Sequence, residues 1–401
     1  MPERNLNFDE VIERRNTYSL KYDFAVRRGM PEDVLPLWVA DMDFKTSSYV
    51  EDAVVERTRH AIFGYSETGA DLSNDRYFNA VAGWMKRHHD WDVDIRWLIK
   101  TPGVVFALAM AVKAFTQEGD VVLIQQPVYY PFSEVIEDNK RVIVSNDLYL
   151  GDDNRYHIDF EDFEKKIVEN NVKLFLLCNP QNPTGRVFTK EELTKLGDIC
   201  LKHQVLVVSD EIHNDFALFS EHTVFAKVKK EFENNCIICT SASKTFNLAS
   251  MLMSNIFIPN PTIRRAFRKQ IDAAGISQLS VLGIVATEAA YENGEEWYEK
   301  VVSYIKDNIA FVKQYTKENL PGVTVIDGEG TFLPWLDFRG TGLSPEEIDR
   351  RIIHGAKLWL DSGRIFGQVG EGFQRINVAA PRSVLEECLR RIREHVIEVE
   401  K

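Results

Sequence analysis

Residues 173–210, KLFLLCNPQNPTGRVFTKEELTKLGDICLKHQVLVVSD, contain two apolar runs with a helical pattern between them. The runs KLFLLC (173–178) and VLVVSD (205–210) are almost continuously apolar, which is typical of strands buried on both faces. The segment between them, TKEELTKLGDICLKHQ (189–204), opens with the T-x-x-E capping box of a helix start. A strand, a helix and a second strand in this order indicate two parallel strands joined by a crossover helix.

The same kind of short apolar run recurs on both sides of this stretch. The further runs are VVLIQ (121–125), RVIVS (141–145), CIICT (236–240) and SNIFIP (254–259). Apolar strands that alternate with amphipathic helices predict an α/β fold, in which helices sandwich a mostly parallel, mixed sheet. We assign residues 46–285 to this large domain.

The pattern changes after about residue 290. The predicted elements, in chain order, are one long amphipathic helix (291–320), strands at VTVID (323–327) and TFLPWLDF (331–338), a helix (344–360), a strand at RINVA (375–379) and a closing helix (383–400). Strands and helices mixed in this way predict a smaller α+β domain. We assign residues 286–401 to it, together with residues 1–45.

The composition limits the classes of partner. The 401-residue chain is 44% hydrophobic and 27% charged, which suits a soluble protein of roughly two or three domains, or one large domain with a smaller one. Its net charge of −13 argues against binding to nucleic acid or to an anionic membrane, because both require basic surfaces. The sequence contains no run of about 18 apolar residues, the length needed to cross a bilayer. The polar N-terminus does not resemble a signal peptide.

The five cysteines, Cys178, Cys200, Cys236, Cys239 and Cys388, are few and odd in number, as expected of reduced thiols in the cytoplasm. Cys236 and Cys239 form a C-x-x-C pattern. Two isoleucines separate them and no second Cys/His pair lies near, which favours packing within a strand over a redox or metal role. We therefore predict a cytoplasmic protein without a metal site.

Chemically useful side chains follow four of the predicted strands. Tyr129 comes after the run 121–125, Asn182 lies in NPQNPTG (179–185), Asp210 ends its own run, and Lys244 lies in SASKTFNL (241–248). Taken one at a time, each has a plain structural explanation: a packed ring, a turn, a strand-end cap and a lysine that extends to solvent. In a parallel sheet, however, ligands bind at the carboxyl ends of the strands, where these four groups meet.

A helix start adds an anion site to this set. TPGVVFALAMAVKAF (101–115) runs from a Pro-Gly turn into an apolar helix, whose first backbone N–H groups can bind an anion. An amine that forms a Schiff base, a carboxylate that pairs with a ring nitrogen, a stacking ring and an anion site are together the requirements of pyridoxal 5′-phosphate.

Several segments carry a resemblance to a known family. SASKTFNL, SDEIH (209–213) and NPQNPTG resemble motifs of the fold-type-I pyridoxal-phosphate enzymes, the aspartate aminotransferase superfamily. Within that superfamily, LPLWVADMDF (35–44), GTFLPWLDF (330–338) and IFGQVGEGFQRINVA (365–379) are similar to the cystathionine and cysteine-S-conjugate β-lyases. The resemblance extends from about residue 5 to residue 395.

The resemblance implies a role for each group around the cofactor ring. Lys244 would bond covalently to the cofactor and later move the substrate's α-proton, and Asp210 would pair with the protonated pyridine nitrogen. Asn182 would donate to the phenolic oxygen, near which we also expect His213. Tyr129 would stack on the ring.

The resemblance also implies how the phosphate and the substrate are held. The expected phosphate ligands are the backbone N–H groups of Gly103, Val104 and Val105, the hydroxyls of Ser241 and Ser243, and Tyr65 of the neighbouring subunit, which implies a homodimer with shared active sites. Arg375 would bind the α-carboxylate of a small amino-acid substrate through its guanidinium fork. The backbone near Ala40 and the ring of Trp38 would line the same pocket.

Three functions remain open at this point. The first is a C–S β-lyase that converts cystathionine, cysteine or related S-conjugates to a thiol, pyruvate and ammonia. The second is an aminotransferase on the same scaffold, and the third is an additional regulatory binding role. Leu252 stands where many aminotransferase relatives carry an arginine that binds the phosphate, and this departure favours the lyase. Ser250 stands where the lyase subgroup often has glycine.

Overall fold

The computed structural model describes residues 2–69 and 74–398. The strands are β1 (Leu35–Pro36), β2 (Leu98–Thr101), β3 (Val121–Ile124), β4 (Val142–Ser145), β5 (Tyr149–Leu150), β6 (Tyr156–His157), β7 (Leu174–Cys178), β8 (Leu206–Asp210), β9 (Cys236–Thr240), β10 (Ser254–Phe257), β11 (Thr324–Val325), β12 (Trp335–Asp337), β13 (Leu358–Trp359), β14 (Asp361–Ser362) and β15 (Phe373–Arg375). The α-helices are α1 (Ser48–Arg59), α2 (Arg76–His89), α3 (Val104–Phe115), α4 (Pro131–Glu137), α5 (Phe160–Asn170), α6 (Lys190–Lys202), α7 (Phe225–Val228), α8 (Ala242–Thr245), α9 (Pro261–Ala273), α10 (Val281–Asn293), α11 (Glu295–Asn319), α12 (Pro345–Arg350) and α13 (Arg382–Ile392).

The central sheet is mixed and mostly parallel, as the sequence predicts. Its seven strands lie in the order β2–β10–β9–β8–β7–β3–β4, and β10 alone runs antiparallel to its neighbours. In the parallel part, Cys178 of β7 is opposite Asp210 of β8, which in turn is opposite Cys239 of β9. The carboxyl ends of these strands therefore lie side by side.

Both faces of the sheet are covered, which explains the continuous apolar runs. Along β7, Phe175 and Leu177 pack into one apolar layer, while Leu174 and Leu176 pack into the layer on the opposite face. Successive side chains of a strand point to opposite faces, so a strand between two helical layers has apolar residues at every position. The predicted capping box opens α6, where Thr189 and Glu192 each accept the other's backbone N–H.

A second, antiparallel sheet has the order β11–β12–β15–β14. The N-terminal segment reaches this region, because β1 pairs in parallel with β13 and Leu35 is opposite Leu358. This pairing agrees with the idea that residues 1–45 accompany residues 286–401, although the domain boundaries themselves stay a prediction. Within the described ranges, no helix is long and apolar enough to cross a membrane.

Two of the predicted helices are wrong in extent. The helix expected over 291–320 is interrupted, because α10 ends before Gly294 and α11 begins after it. Gly294 packs against the Phe246 ring so closely that a Cβ there would lie 2.3 Å from a ring carbon. The helix expected over 344–360 ends as a short π-helical turn at Gly355, and its last residues form β13 instead.

The remaining differences are smaller. The strand expected at 375–379 is β15, which ends at Arg375, and the edge strand β2 has no counterpart among the predicted strands. The closing helix expected over 383–400 is α13 followed by a π-helical turn to Ile397, and residues 399–401 lie outside the described part of the chain.

Candidate active site

A cavity of about 190 Å³ opens at the carboxyl ends of the central strands. Ten of the predicted site residues line it, namely Ala40, Gly103, Val104, Val105, Tyr129, Asn182, Asp210, His213, Ser243 and Lys244. The lining also includes residues that the sequence analysis did not assign to the site, among them Cys178, Ile212, Leu252 and Met253. Residues that are up to about 200 positions apart in the chain thus converge on one space.

Lys244 lies on α8, a single helical turn directly after β9. The hydroxyl of Ser241 caps this turn, since it accepts the N–H of Ser243 at 3.0 Å and donates to the carbonyl of Met253 at 2.7 Å. The Lys244 amine donates to the Ala40 carbonyl at 2.7 Å. Burial lowers the pKa of this amine to about 8, and the nearby charges of Asp41 and Asp210 only partly oppose that effect. A lowered pKa makes the amine a better nucleophile near neutral pH.

Asp210 ends β8 and is buried. One of its oxygens accepts the N–H of Ile212 at 3.1 Å, and no cationic side chain of the described residues forms a salt bridge with it. Burial raises the pKa of this carboxyl to about 7, although the Ile212 N–H and the charge of Lys244 lower it in part. A buried carboxylate without a cation is stabilised when a positively charged group is placed beside it.

Three further predicted residues, His213, Tyr129 and Asn182, line the same cavity as Lys244 and Asp210. The His213 ring is buried edge-on against Phe332, and burial together with the charges of Lys244 and Arg375 holds its pKa well below the usual value. His213 is therefore neutral near pH 7. The N–H of Tyr129 donates to the carbonyl of Asn182 at 2.9 Å, which joins two loops at the rim of the cavity.

Arg375 is buried, and its guanidinium bonds to Asn182, which lines the cavity. Its Nη1 donates to Oδ1 of Asn182 at 2.8 Å, and its Nη2 donates both to the Trp38 carbonyl at 2.8 Å and to Asp361. Its Nε is buried and has no hydrogen-bond partner within the described residues. A buried donor without an acceptor is rare in folded proteins, so Arg375 retains a hydrogen bond for a ligand.

Besides Arg375, three predicted residues lie outside the cavity lining. The Ser241 hydroxyl is already engaged as the cap of α8, and the Trp38 ring stacks on Trp359 at 4.2 Å, so that its carbonyl rather than its ring serves the site. The side chain of Tyr65 is 97% exposed. Its expected contact is with a neighbouring subunit, and that contact stays a prediction.

Sequence reasoning missed two residues that build the site. Asp361 is the ion-pair partner of Arg375, and burial raises its pKa to about 6 although the arginine opposes the shift. Asn247 holds the chain beside Ala40, since its amide exchanges hydrogen bonds with both backbone groups of Met42. Asn247 lies within the quoted motif SASKTFNL, whereas Asp361 directly follows a segment interpreted as helix and gave no local signal.

The donor set fits pyridoxal 5′-phosphate. The cavity places an amine of lowered pKa opposite a buried carboxylate that lacks a cation, and the start of α3, with Gly103 as its N-cap, opens on the same space. A pyridinium nitrogen would complete Asp210, and a phosphate would accept the free N–H groups at the helix start. The buried Nδ1 of His213, which has no partner among the described residues, is also available to the ring.

The chain matches a known protein family over most of its length. A family model described as aminotransferase class I and II matches residues 32–392. The chain belongs to this family. Leu252 contributes an apolar side chain to the cavity lining.

The relatives within the class I and II family are similar over their full length. Cystathionine beta-lyase PatB of Bacillus subtilis (strain 168) is 41% identical, over 97% of this chain and 99% of its own. Cystalysin from Treponema denticola, whose crystal structure contains a pyridoxal 5′-phosphate cofactor, is 38% identical with a TM-score of 0.93, over 98% of this chain and 99% of its own. The PLP-bound C-S lyase from Staphylococcus hominis is 32% identical with a TM-score of 0.90, over 98% of both chains. The predicted type-I fold is confirmed.

Proposed function

We propose that this protein is a pyridoxal-phosphate-dependent C–S β-lyase, which converts cystathionine, cysteine or related S-conjugates to a thiol, pyruvate and ammonia. The proposal depends on the full-length likeness to PatB together with the meeting of Lys244 and Asp210 in one cavity, where Asn182 of the lining is bonded to Arg375. When bound, the cofactor supplies an electron sink for the pair of electrons that remains when the α-proton leaves.

The residues of this chain divide the remaining work. Lys244 would hold the cofactor covalently and, once free, would take the α-proton of the substrate as a neutral base. Arg375 binds the α-carboxylate with its unused donors, and this contact orients the α C–H bond toward the lysine. Asp210 would stay ionised beside a protonated ring nitrogen, because the two opposite charges would be desolvated together.

The start of α3 would hold the phosphate. The backbone N–H groups of Gly103, Val104 and Val105 would donate to its oxygens there, and the hydroxyl of Ser243 faces the same space. Ser241 contributes by capping the turn that carries Ser243, rather than by direct contact. Asn182 and His213 would lie near the phenolic oxygen of the cofactor, and Tyr129 would stack on its ring; all three residues line the cavity.

A second outcome, transamination, uses the same residues, and the description of the matched family model favours keeping it as an alternative. The test is to incubate the purified, cofactor-loaded protein with cystathionine and to measure pyruvate, thiol and keto acids. A lyase should release equal amounts of pyruvate and thiol over many turnovers. Conversion of the cofactor to its amine form, with a keto acid and no thiol, would instead identify the protein as an aminotransferase.

The active form is a homodimer with shared sites, and it works in the cytoplasm. Tyr65, Ile62 and Phe63 form an exposed, largely apolar segment, which suits burial against a second copy of the chain. All five cysteines are free and buried, which suits a reducing compartment. Mixing inactive Lys244→Ala and Tyr65→Ala chains should restore activity if each site takes Tyr65 from its partner. The mixture is unfolded and refolded so that the chains exchange partners. If no activity returned, shared sites would be contradicted.

A further inference from the structure

A buried charged network lies directly beneath the lysine turn. Asp215 follows the strand end that carries Asp210, and its side chain is 2% exposed. One of its oxygens accepts from Nε2 of His89 at 2.8 Å and from the indole of Trp84 at 3.0 Å. Its other oxygen accepts from the hydroxyl of Thr245, the residue that follows Lys244.

We propose that Asp215 is a positioning residue for Lys244, and that it acts through the hydroxyl of Thr245 to fix the turn from which the reacting amine extends. This inference rests on the proposed function, since it concerns the lysine that bonds to the cofactor. None of the site residues expected from the sequence belongs to this network.

The turn needs such an anchor because it is short. α8 has four residues, and a single helical turn has too few internal hydrogen bonds to hold its own geometry. The hydroxyl of Ser241 fixes its start, and the amide of Asn247 fixes the chain after its end. Between these two, the Thr245 hydroxyl is the side-chain group of the turn that reaches a buried charge.

The acceptor for that hydroxyl is ionised. Burial by itself would raise the pKa of Asp215, but the hydrogen bond and charge of His89, together with the hydroxyl of Thr245 and the indole of Trp84, lower it below its usual value. A hydrogen bond to an ionised acceptor is about twice as strong as one between neutral groups. The backbone of Asp215 is also held, because the hydroxyl of Tyr298 donates to the Asp215 carbonyl at 2.7 Å.

The network also extends toward Asp210. The ring of His89 lies perpendicular to that of His222 at 5.6 Å, and Nε2 of His222 is 3.0 Å from Glu211, the residue next to Asp210. Lys244 and Asp210 are therefore each followed by a residue that is tied into this buried layer. A rigid layer of this kind holds the amine near its attack position, where a displacement of about 1 Å can slow a reaction about a hundredfold.

The test compares Thr245→Val, which removes the hydroxyl and keeps the shape, with Thr245→Ser, which keeps the hydroxyl. Thr316→Val serves as the matched control, because Thr316 is buried in α11 and its hydroxyl has no partner within the described residues. Full-length apoprotein is mixed with pyridoxal 5′-phosphate, and the visible absorbance of the lysine-bound cofactor gives the rate of bond formation. Binding of pyridoxine 5′-phosphate, which lacks the aldehyde, reports on the rest of the site.

Thr245→Val should slow bond formation about tenfold to a hundredfold while its affinity for pyridoxine 5′-phosphate changes less than about twofold. Thr245→Ser and Thr316→Val should stay within about twofold of the parent protein in both measurements. An unchanged rate in Thr245→Val, or equal slowing in Thr316→Val, would overturn the inference and leave the proposed function standing. If the parent protein itself forms no covalent bond with the cofactor, the inference and the proposed function are both refuted. Should Thr245→Val not fold, Asp215→Asn takes its place, and a rate within twofold of the parent would then refute the proposal.

Discussion

Arg375→Ala provides the most direct test of how the substrate is held. The substitution removes the guanidinium that connects Asn182, the Trp38 carbonyl and Asp361 at the cavity wall. Truncation of one partner in a buried, hydrogen-bonded charge pair costs about 2–5 kcal/mol. At about 1.4 kcal/mol for each factor of ten, this range corresponds to a loss of about 30-fold to 4,000-fold in substrate affinity.

The structure places the expected loss in the lower part of that range. Asp361 would be left buried without its cation. The pKa of its carboxyl is already about 6, and the loss of Arg375 would raise that pKa further. The carboxyl would then be protonated near neutral pH, so that it no longer repels the substrate carboxylate. We therefore expect kcat/KM to fall by about 30-fold to 300-fold, mainly through KM.

The assay is pyruvate release from cystathionine at fixed pH, with cofactor loading and thermal unfolding checked for each protein. Arg375→Lys keeps the charge but loses the planar fork, so it should fall between the parent and Arg375→Ala. Arg390→Ala removes an exposed arginine paired with Glu387 and should change little. A folded, fully loaded Arg375→Ala protein with kcat/KM within threefold of the parent would refute the assignment.

Four other outcomes are expected. Lys244→Ala should lose both turnover and the visible absorbance of the lysine-bound cofactor, and retained turnover would contradict its role. The rate at which the apoprotein bonds to the cofactor should rise with pH and level off above about pH 8, because the Lys244 amine is protonated and unreactive below its pKa. A rate that does not change with pH would contradict this prediction. Asp210→Asn should lower kcat by about a hundredfold, as expected when a preorganised charge is removed, and a kcat near the parent value would argue against pairing with the ring nitrogen. Asp361→Asn should reduce the free energy of unfolding by about 3–5 kcal/mol in denaturant titrations, because it leaves a buried guanidinium uncompensated; unchanged stability would mean that water reaches Arg375.

The sequence by itself determined most strands of the central sheet and the chemistry at its edge. β7 and β8 are visible as apolar runs because burial on both faces demands an apolar residue at every position, and the start of α6 is visible because Thr189 and Glu192 lie within one turn. Lys244, Asp210 and Asn182 follow strands directly, so their meeting point could be predicted from the direction of the strands.

Tertiary structure alone decided which distant groups complete that site. Asp361 forms an ion pair with Arg375. The end of a predicted helix forms strand β13 instead, because it pairs with β1, which lies more than 300 residues away in the chain. Asp215 reaches both His89 and Thr245 across separate elements. Periodicity and capping report interactions between residues a few positions apart, whereas ion pairs and strand pairings depend on where the packed layers bring two remote segments together.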